Sequence, residues 1–240
     1  MATAAHHSVV AGPRLRVFYV GMAVVFMALV FIGFAPSYYL KDAFHRPALP
    51  LLLHLHGVFF TLWIVLFLLQ TVLVAAGRTD VHRRLGIAGG ALALAMVVIV
   101  PTVAIKTTQP GFRAGPPAPL SALSLPFVNI LVFATLVAAG FFYRRQPATH
   151  KRLMVLATLS IVPAATARLP LAIIRSYGPV AFFGLTDLVL LAAIAYDAVK
   201  DRRFYAVYGW GLVFFGVWQP LSIRLGSTAA WLSFARWLTR

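Results

Sequence analysis

Seven long apolar runs dominate the sequence and limit the folds that this chain can adopt. A helix of about 20 residues spans the roughly 30 Å hydrocarbon core of a bilayer. Because 61% of the residues are hydrophobic and 11% are charged, the chain has more apolar surface than a soluble core of its size can bury. We predict an all-α integral membrane protein, a single transmembrane domain over residues 1–240 with seven transmembrane helices. The predicted spans are Val17–Ala35, Leu51–Ala76, Leu85–Ile105, Ser121–Tyr143, Leu153–Ile174, Val180–Val199 and Tyr205–Ile223.

Lysine and arginine lie mostly at one set of span ends. The net charge is +16, and twelve basic residues flank the same ends as the N-terminus, whereas the loops at the other ends hold five. Cytoplasmic loops carry the excess of Lys and Arg, so we place the N-terminus, with a tail of residues 1–16, in the cytoplasm and the chain in the bacterial cytoplasmic (inner) membrane. The twelve residues are Arg14, Arg16, Arg78, Arg83, Arg84, Arg144, Arg145, Lys151, Arg152, Lys200, Arg202 and Arg203.

The basic residues also indicate partners. Anionic headgroups attract Lys and Arg at a membrane surface, so membrane lipids are expected partners. No basic cluster alternates with stackable aromatic side chains in a polar segment, which argues against nucleic acid.

Outside the spans, residues 106–120 are rich in Pro and Gly and predict an extracytoplasmic loop. Residues 227–240 place Trp231, Phe234 and Leu238 at helical spacing and predict an interfacial C-terminal helix.

The absence of Cys and Glu removes several classes of chemistry. Without Cys there are no disulfides, thiolate metal sites or iron–sulfur clusters. Without Glu, a di-iron carboxylate cage is not available. No GxSxG, HExxH or phosphate-loop motif is present, so no residue is assigned a catalytic role. The acids are Asp42, Asp80, Asp187, Asp197 and Asp201.

One short pattern occurs twice. The sequence LVAAG at Leu73–Gly77 precedes HRRL at His82–Leu85, and LVAAG at Leu136–Gly140 precedes HKRL at His150–Leu153. Either the chain contains a duplicated hairpin, or abundant Leu, Val and Ala meet basic residues that any membrane surface would favour. A duplication would make spans two to five a four-helix core, with His82 and His150 facing each other across it.

The second copy and the residues after it resemble a known family. The sequence HKRLMVLATLSIVPAATARLPL at His150–Leu171 resembles an uncharacterised family of multi-pass bacterial membrane proteins, a domain of unknown function with a His-x-Arg-x-Met helix start. HRRLG at His82–Gly86 is similar to that family's earlier helix start, whereas Leu153 stands where the family has an aromatic residue. The resemblance covers spans two to five and implies the fold, because the family has no established activity.

A more distant likeness is to four-helix b-type cytochromes, in which histidines on alternate core helices ligate two haems. The likeness implies haem b held by His82 and His150. The outer pair of such cytochromes is not matched, because the fourth predicted span contains no histidine. Both histidines also begin helices among basic residues, where contact with lipid headgroups is the alternative.

Polar side chains within the spans are the main indication of function, because ionisable groups at membrane depth are costly and usually face a bundle interior. At about 1.5 Å per residue, six of them lie roughly 6 to 12 Å below the outer face. We predict that they share one pocket opening to the outside. The six are His54, His56, Asn129, Arg168, Asp187 and Gln219.

The leading hypothesis is that this pocket binds a small anionic or quinone-like ligand, with redox turnover as an extension. Arg168 would anchor the anion, Asp187 would pair with it, and His54 or His56 would donate a hydrogen bond or carry a proton. One alternative is a b-type haem electron carrier that uses His82 and His150. Another is a non-catalytic accessory membrane subunit, in which the polar layer only holds helices together.

Overall fold

The computed structural model describes residues 13–112 and 116–240. Within them the chain is helical and contains no strand. A π-helical turn, Ala35–Tyr39, follows the first helix, and 3-10 turns cover Leu120–Leu123 and Tyr143–Arg145. The helices are α1 (Pro13–Phe34), α2 (Leu51–Ala75), α3 (Thr79–Lys106), α4 (Ser124–Phe142), α5 (Pro147–Ile161), α6 (Pro163–Thr166), α7 (Ala172–Tyr177), α8 (Pro179–Asp201), α9 (Ala206–Leu225) and α10 (Ala229–Leu238).

Six helical segments of the described chain are long and apolar enough to cross a membrane. The all-helical fold class is thus confirmed, with six candidate membrane-spanning helices rather than seven. These helices are the ones expected of a multi-pass membrane protein. The six are Val17–Tyr39, Leu51–Ala75, Thr79–Lys106, Leu120–Arg145, Pro179–Asp201 and Ala206–Leu225.

The fifth predicted span, Leu153–Ile174, is not one helix. Helix α5 starts earlier than predicted and ends at Ile161, and only the short α6 and α7 follow it. Pro163 and Pro170 lack the N–H that a helix interior needs. Single prolines at Pro101 and Pro220 leave α3 and α9 continuous, so the break falls in the segment with two closely spaced prolines.

Local sequence explains several other helix ends. Gly77 takes a left-handed backbone conformation with φ of 76° directly after α2, which is the usual helix stop. Pro179 is the first residue of α8, where its missing N–H costs nothing. Thr228 caps α10 by accepting a hydrogen bond from the backbone N–H of Trp231 at 3.2 Å.

The core extends beyond the predicted four-helix set. Helices α2 to α5 pack in sequence order, and α1 packs against α2 and α6. Phe26 of α1, Leu190 of α8 and Tyr208 of α9 are all buried in the same cluster as Phe133 of α4. Helices α1, α8 and α9 therefore complete the core.

Helix α1 approaches α6 unusually closely at one glycine. A Cβ on Gly33 would collide with the backbone carbonyl of Ala165. Only glycine allows this contact, because any side chain would push the two backbones apart. The contact places Phe34 and the residues that follow α6 side by side.

The C-terminal helix packs against the 3-10 turn that precedes α4. Trp231 Nε1 donates to the Leu120 carbonyl at 3.2 Å, and Trp231 and Ala235 are buried with Leu123. Its location at a membrane interface, and the cytoplasmic location of the N-terminus, stay predictions. The tail of residues 1–12 lies outside the described residues, as do residues 113–115 of the predicted 106–120 loop.

Candidate functional site

Helices α4, α8 and α9 bring three of the predicted polar residues together. Gln219 Nε2 donates to Asp187 Oδ1 at 2.8 Å, and Trp218 Nε1 donates to Asn129 Oδ1 at 3.4 Å. With Ser160 of α5 these side chains line a small cavity that has room for about one water molecule. We call Asn129, Asp187, Trp218 and Gln219 the amide–acid cluster.

Arg168 lies elsewhere, in the connection between α6 and α7. Its Nη1 donates to the Ala164 carbonyl, and its guanidinium carbon is 4.6 Å from the centroid of the Phe34 ring. The side chain is exposed. Arg168 and Asp187 form no ion pair within the described residues, so the predicted pair is wrong. The helix break after Ile161 explains this, because it turns Arg168 toward α1 while Asp187 faces α9.

The two histidines of α2 have different surroundings. The His54 ring is exposed and lies 5.6 Å from the ring of Tyr38, centroid to centroid. The His56 ring lies 4.5 Å from the Phe60 ring, and its buried Nδ1 has no hydrogen-bond partner within the described residues. His56 also interacts electrostatically with Arg168. The six predicted residues therefore divide into the amide–acid cluster, a basic cluster of His56 and Arg168, and His54 beside Tyr38.

The structure brings His82 and His150 together at the N-terminal ends of α3 and α5. Their ring centroids are 6.2 Å apart, and the ring planes meet at 77°. His150 Nδ1 is 2.8 Å from the Gly140 carbonyl oxygen. The buried Nδ1 of His82 has no partner within the described residues.

Haem b, which the cytochrome likeness implies, does not fit this pair as the side chains stand. The rings meet edge to face, whereas a macrocycle needs an open plane between its two axial ligands. Met154 Sδ fills the space beside Gly140, 2.7 Å from where a Cβ would be, and the Phe141 ring similarly fills the space beside Gly90. Haem ligation stays the alternative to the ligand-binding hypothesis, and an optical spectrum tests it.

A buried charge cluster was not predicted. Arg152 of α5 is completely buried, and Asp197 of α8 is 1% exposed. Arg152 Nε donates to Asp197 Oδ2 at 2.8 Å, and Arg152 Nη2 lies 2.5 Å from the same oxygen. Tyr19 of α1 also donates to Asp197 Oδ2, at 3.2 Å, and its hydroxyl is 3.4 Å from that of Tyr208 on α9. One ion pair thus ties four helices together.

Aromatic and acidic side chains complete this cluster. The Arg152 guanidinium carbon lies 3.2 Å from the centroid of the Tyr205 ring and Nη2 lies 3.8 Å from Asp201 Oδ2. Tyr205 donates to Asp201 at 2.7 Å. In the connection between α8 and α9, burial raises the pKa of Tyr205, and the hydrogen bond to Asp201 raises it further. The neutral phenol is therefore kept as a donor. We call Tyr19, Arg152, Asp197, Tyr205 and Tyr208 the charge cluster.

A signal for the charge cluster was present in the sequence. Asp197 lies inside a predicted span, two residues before its end, and an acid within a span usually has a partner. Arg152 was counted among the basic residues of the membrane surface, and the structure corrects this by burying it. Sequence position alone could not show that α5 begins at Pro147, before Arg152.

These features define the class of protein: an all-helical chain with six candidate membrane-spanning helices and polar clusters among them. No protein-family model, curated protein or solved structure matches this chain.

Proposed function

We propose that this chain is a multi-pass protein of the bacterial cytoplasmic membrane that binds a small anionic or quinone-like molecule at His56 and Arg168, in the outer leaflet. The observation that carries the proposal is the buried Nδ1 of His56, which has no hydrogen-bond partner within the described residues, together with the positive charge of Arg168 that acts on this ring. A ligand oxygen there removes the cost of an unsatisfied buried nitrogen, about 1 to 3 kcal/mol.

The surroundings favour an aromatic or carbonyl-bearing ligand. Phe60 lies against His56, and Phe34 lies under Arg168. Aromatic rings offer stacking surface, while imidazole and guanidinium N–H groups donate to oxygen. With a bound quinone the proposal extends to redox turnover, in which an electron carrier outside this chain supplies the electrons and His56 carries a proton. Asp187 is not part of this site, and we assign the amide–acid cluster to packing of α4, α8 and α9.

A binding measurement on purified full-length protein tests the proposal. Decylubiquinone and benzoate serve as the quinone and anion probes, titrated by calorimetry into protein in nanodiscs. Loss of a hydrogen bond to a charged group costs about 1.5 to 3 kcal/mol, so Arg168→Gln should weaken binding roughly 10- to 150-fold. His56→Leu should also weaken it.

Arg175→Gln is the matched control, because Arg175 is an exposed arginine of α7 close in sequence to Arg168. Its affinity should equal that of the unchanged protein. Binding of neither probe, or equal weakening by Arg175→Gln, would refute the assignment of Arg168. Binding of benzoate alone would retain the anion site and remove the quinone.

The second candidate is a non-catalytic accessory subunit. The water-sized cavity of the amide–acid cluster favours it, because the side chains there already bond one another. This candidate expects no binding of either probe and a loss of stability when Gln219 or Asp187 is replaced.

A further inference from the structure

We propose that His82, His150 and Met154 bind a cuprous ion where α3 and α5 begin. This site lies at the opposite end of the helices from His56 and Arg168 and is independent of the function proposed above. The observations that carry it are the separation of the two imidazoles, the hydrogen bond that orients one of them, and buried polar atoms at the other that have no partner within the described residues.

The ring separation matches a shared metal ion. With metal–nitrogen bonds of about 2.0 Å, two imidazoles on one ion have ring centroids roughly 5 to 6 Å apart, the larger value belonging to a near-linear arrangement. The observed separation is 6.2 Å. Two imidazoles at this separation can share one low-coordinate ion, which needs no space for a macrocycle.

The His150 tautomer is set by its neighbour. A carbonyl oxygen can only accept, so the contact of 2.8 Å with the Gly140 carbonyl requires the proton on His150 Nδ1. The other nitrogen, Nε2, then keeps its lone pair. An Nδ1–H bonded to a backbone carbonyl is the usual support for a metal-ligating histidine, because it fixes both tautomer and ring orientation.

Two buried polar atoms at the second ligand lack hydrogen bonds within the described residues. His82 Nδ1 has no partner within the described residues, and neither has Gln70 Oε1. Gln70 Nε2 donates to the His82 carbonyl at 3.2 Å, which holds the end of α2 against the start of α3. Buried unsatisfied groups call for an explanation such as an ion, and a cation suits acceptors.

The charge and softness of the surroundings favour Cu⁺ over a divalent ion. No cluster of three His or acidic residues exists within the described chain, so the ligands are neutral. Arg83 adds positive charge close to His82, which penalises a divalent ion more than a monovalent one. Met154 Sδ packs at Gly140, beside the carbonyl that His150 contacts. Thioether sulfur is a ligand that selects Cu⁺.

The test is an anaerobic titration of the full-length protein with Cu⁺ against a chromophoric chelator. The starting protein carries His6→Ala and His7→Ala and no affinity tag, so that these two histidines of the N-terminal sequence do not compete. We expect one Cu⁺ per chain. X-ray absorption should show nitrogen and sulfur ligands.

Single substitutions assign the ligands. Since even second-shell changes cost 10- to 100-fold in metal affinity, His82→Ala and His150→Ala should each weaken Cu⁺ binding by about 100-fold or more, and Met154→Leu by about 10-fold. His45→Asn and Met27→Leu are the matched controls and should have no effect. His82→Met should retain Cu⁺, which shows that a loss in His82→Ala is a loss of the ligand and not of the fold.

Several results would overturn the inference. The inference is wrong if the protein retains no Cu⁺, or if the two alanine variants bind Cu⁺ as tightly as the controls. It is also wrong if equimolar Zn²⁺ displaces Cu⁺. A stoichiometric Soret band abolished by either alanine variant would also overturn it, in favour of haem. None of these outcomes affects the quinone and benzoate titrations at His56 and Arg168.

Discussion

Two arginine–aspartate combinations have their arginine within or directly before the fifth apolar segment and their aspartate on α8, and they behave in opposite ways. Arg152 and Asp197 form a buried ion pair. Arg168 and Asp187 do not pair, and Arg168 is exposed. The residue types are the same, but Arg152 lies within a continuous helix and Arg168 lies beyond the break at Pro163. Helical continuity, more than the presence of opposite charges, decides which charges meet.

The largest effect is expected in the charge cluster. Replacing Arg152 with Met leaves the Asp197 charge buried and unpaired, and such a loss costs about 3 to 5 kcal/mol. Asp197→Leu should cost a similar amount, and the double variant should recover much of the loss. The stability of the three variants is measured by thermal unfolding in detergent, with size-exclusion chromatography as the readout. Additive losses in the double variant would contradict the pairing.

The approach of α1 to α6 should be the next most sensitive feature. Gly33→Leu places a side chain where the Ala165 backbone lies, and forced overpacking costs about 1 to 3 kcal/mol. Gly21→Leu in the same helix is the control, because no atom lies within 4 Å of its Cβ position. The same thermal assay applies. Equal melting temperatures in the two variants would place Gly33 in an open environment.

The amide–acid cluster should contribute less. Gln219→Leu removes the hydrogen bond of 2.8 Å to Asp187, and a typical bond of this kind contributes about 1 kcal/mol. Because Asp187 is half-buried, water replaces part of the lost interaction. Asp187→Asn should keep most of the stability, since an amide oxygen still accepts from Gln219. A larger loss in Asp187→Asn than in Gln219→Leu would show that the charge itself matters.

Arg168 and Asp187 should show no coupling. Arg168→Gln and Asp187→Asn are expected to change stability additively, within about 0.5 kcal/mol, as for residues without contact. A coupling as large as that of Arg152 and Asp197 would remove the contrast between the two combinations. The four proteins of this double-mutant cycle are compared in the same assay.

Labelling of introduced cysteines shows whether Arg152 and Asp197 or Arg168 and Asp187 lie toward the cytoplasm. No effect on stability is expected. Thr79 and Gln146 are exposed residues near the starts of α3 and α5. Since the surrounding loops carry the dense positive charge, Thr79→Cys and Gln146→Cys should resist a membrane-impermeant thiol reagent in intact cells. Labelling of both would reverse the predicted orientation and place the charge cluster outside.

The difference between the two combinations also marks the limit of what could be predicted. Depth along a helix follows from residue number, so the sequence placed Asn129, Asp187 and Gln219 at one level and the structure brings them together. It also indicated that His82 and His150 could meet. The direction in which a side chain points around the helix axis depends on packing. For Arg168 it depends on the helix break after Ile161, and the single prolines Pro101 and Pro220 cause no such break in α3 and α9.

The length of the apolar runs by itself determined the class of this protein. Several runs of about 20 apolar residues in a chain of this size are typical of membrane-spanning helices. Local chemistry also set some helix ends, as Gly77 and Pro179 show. Only the tertiary structure decided that Arg152 is a core residue, that Arg168 does not pair with Asp187, and that the fifth segment is broken. The reason is that a buried charge is stable only when its partner arrives from another helix, and which helices meet is a property of the packed chain.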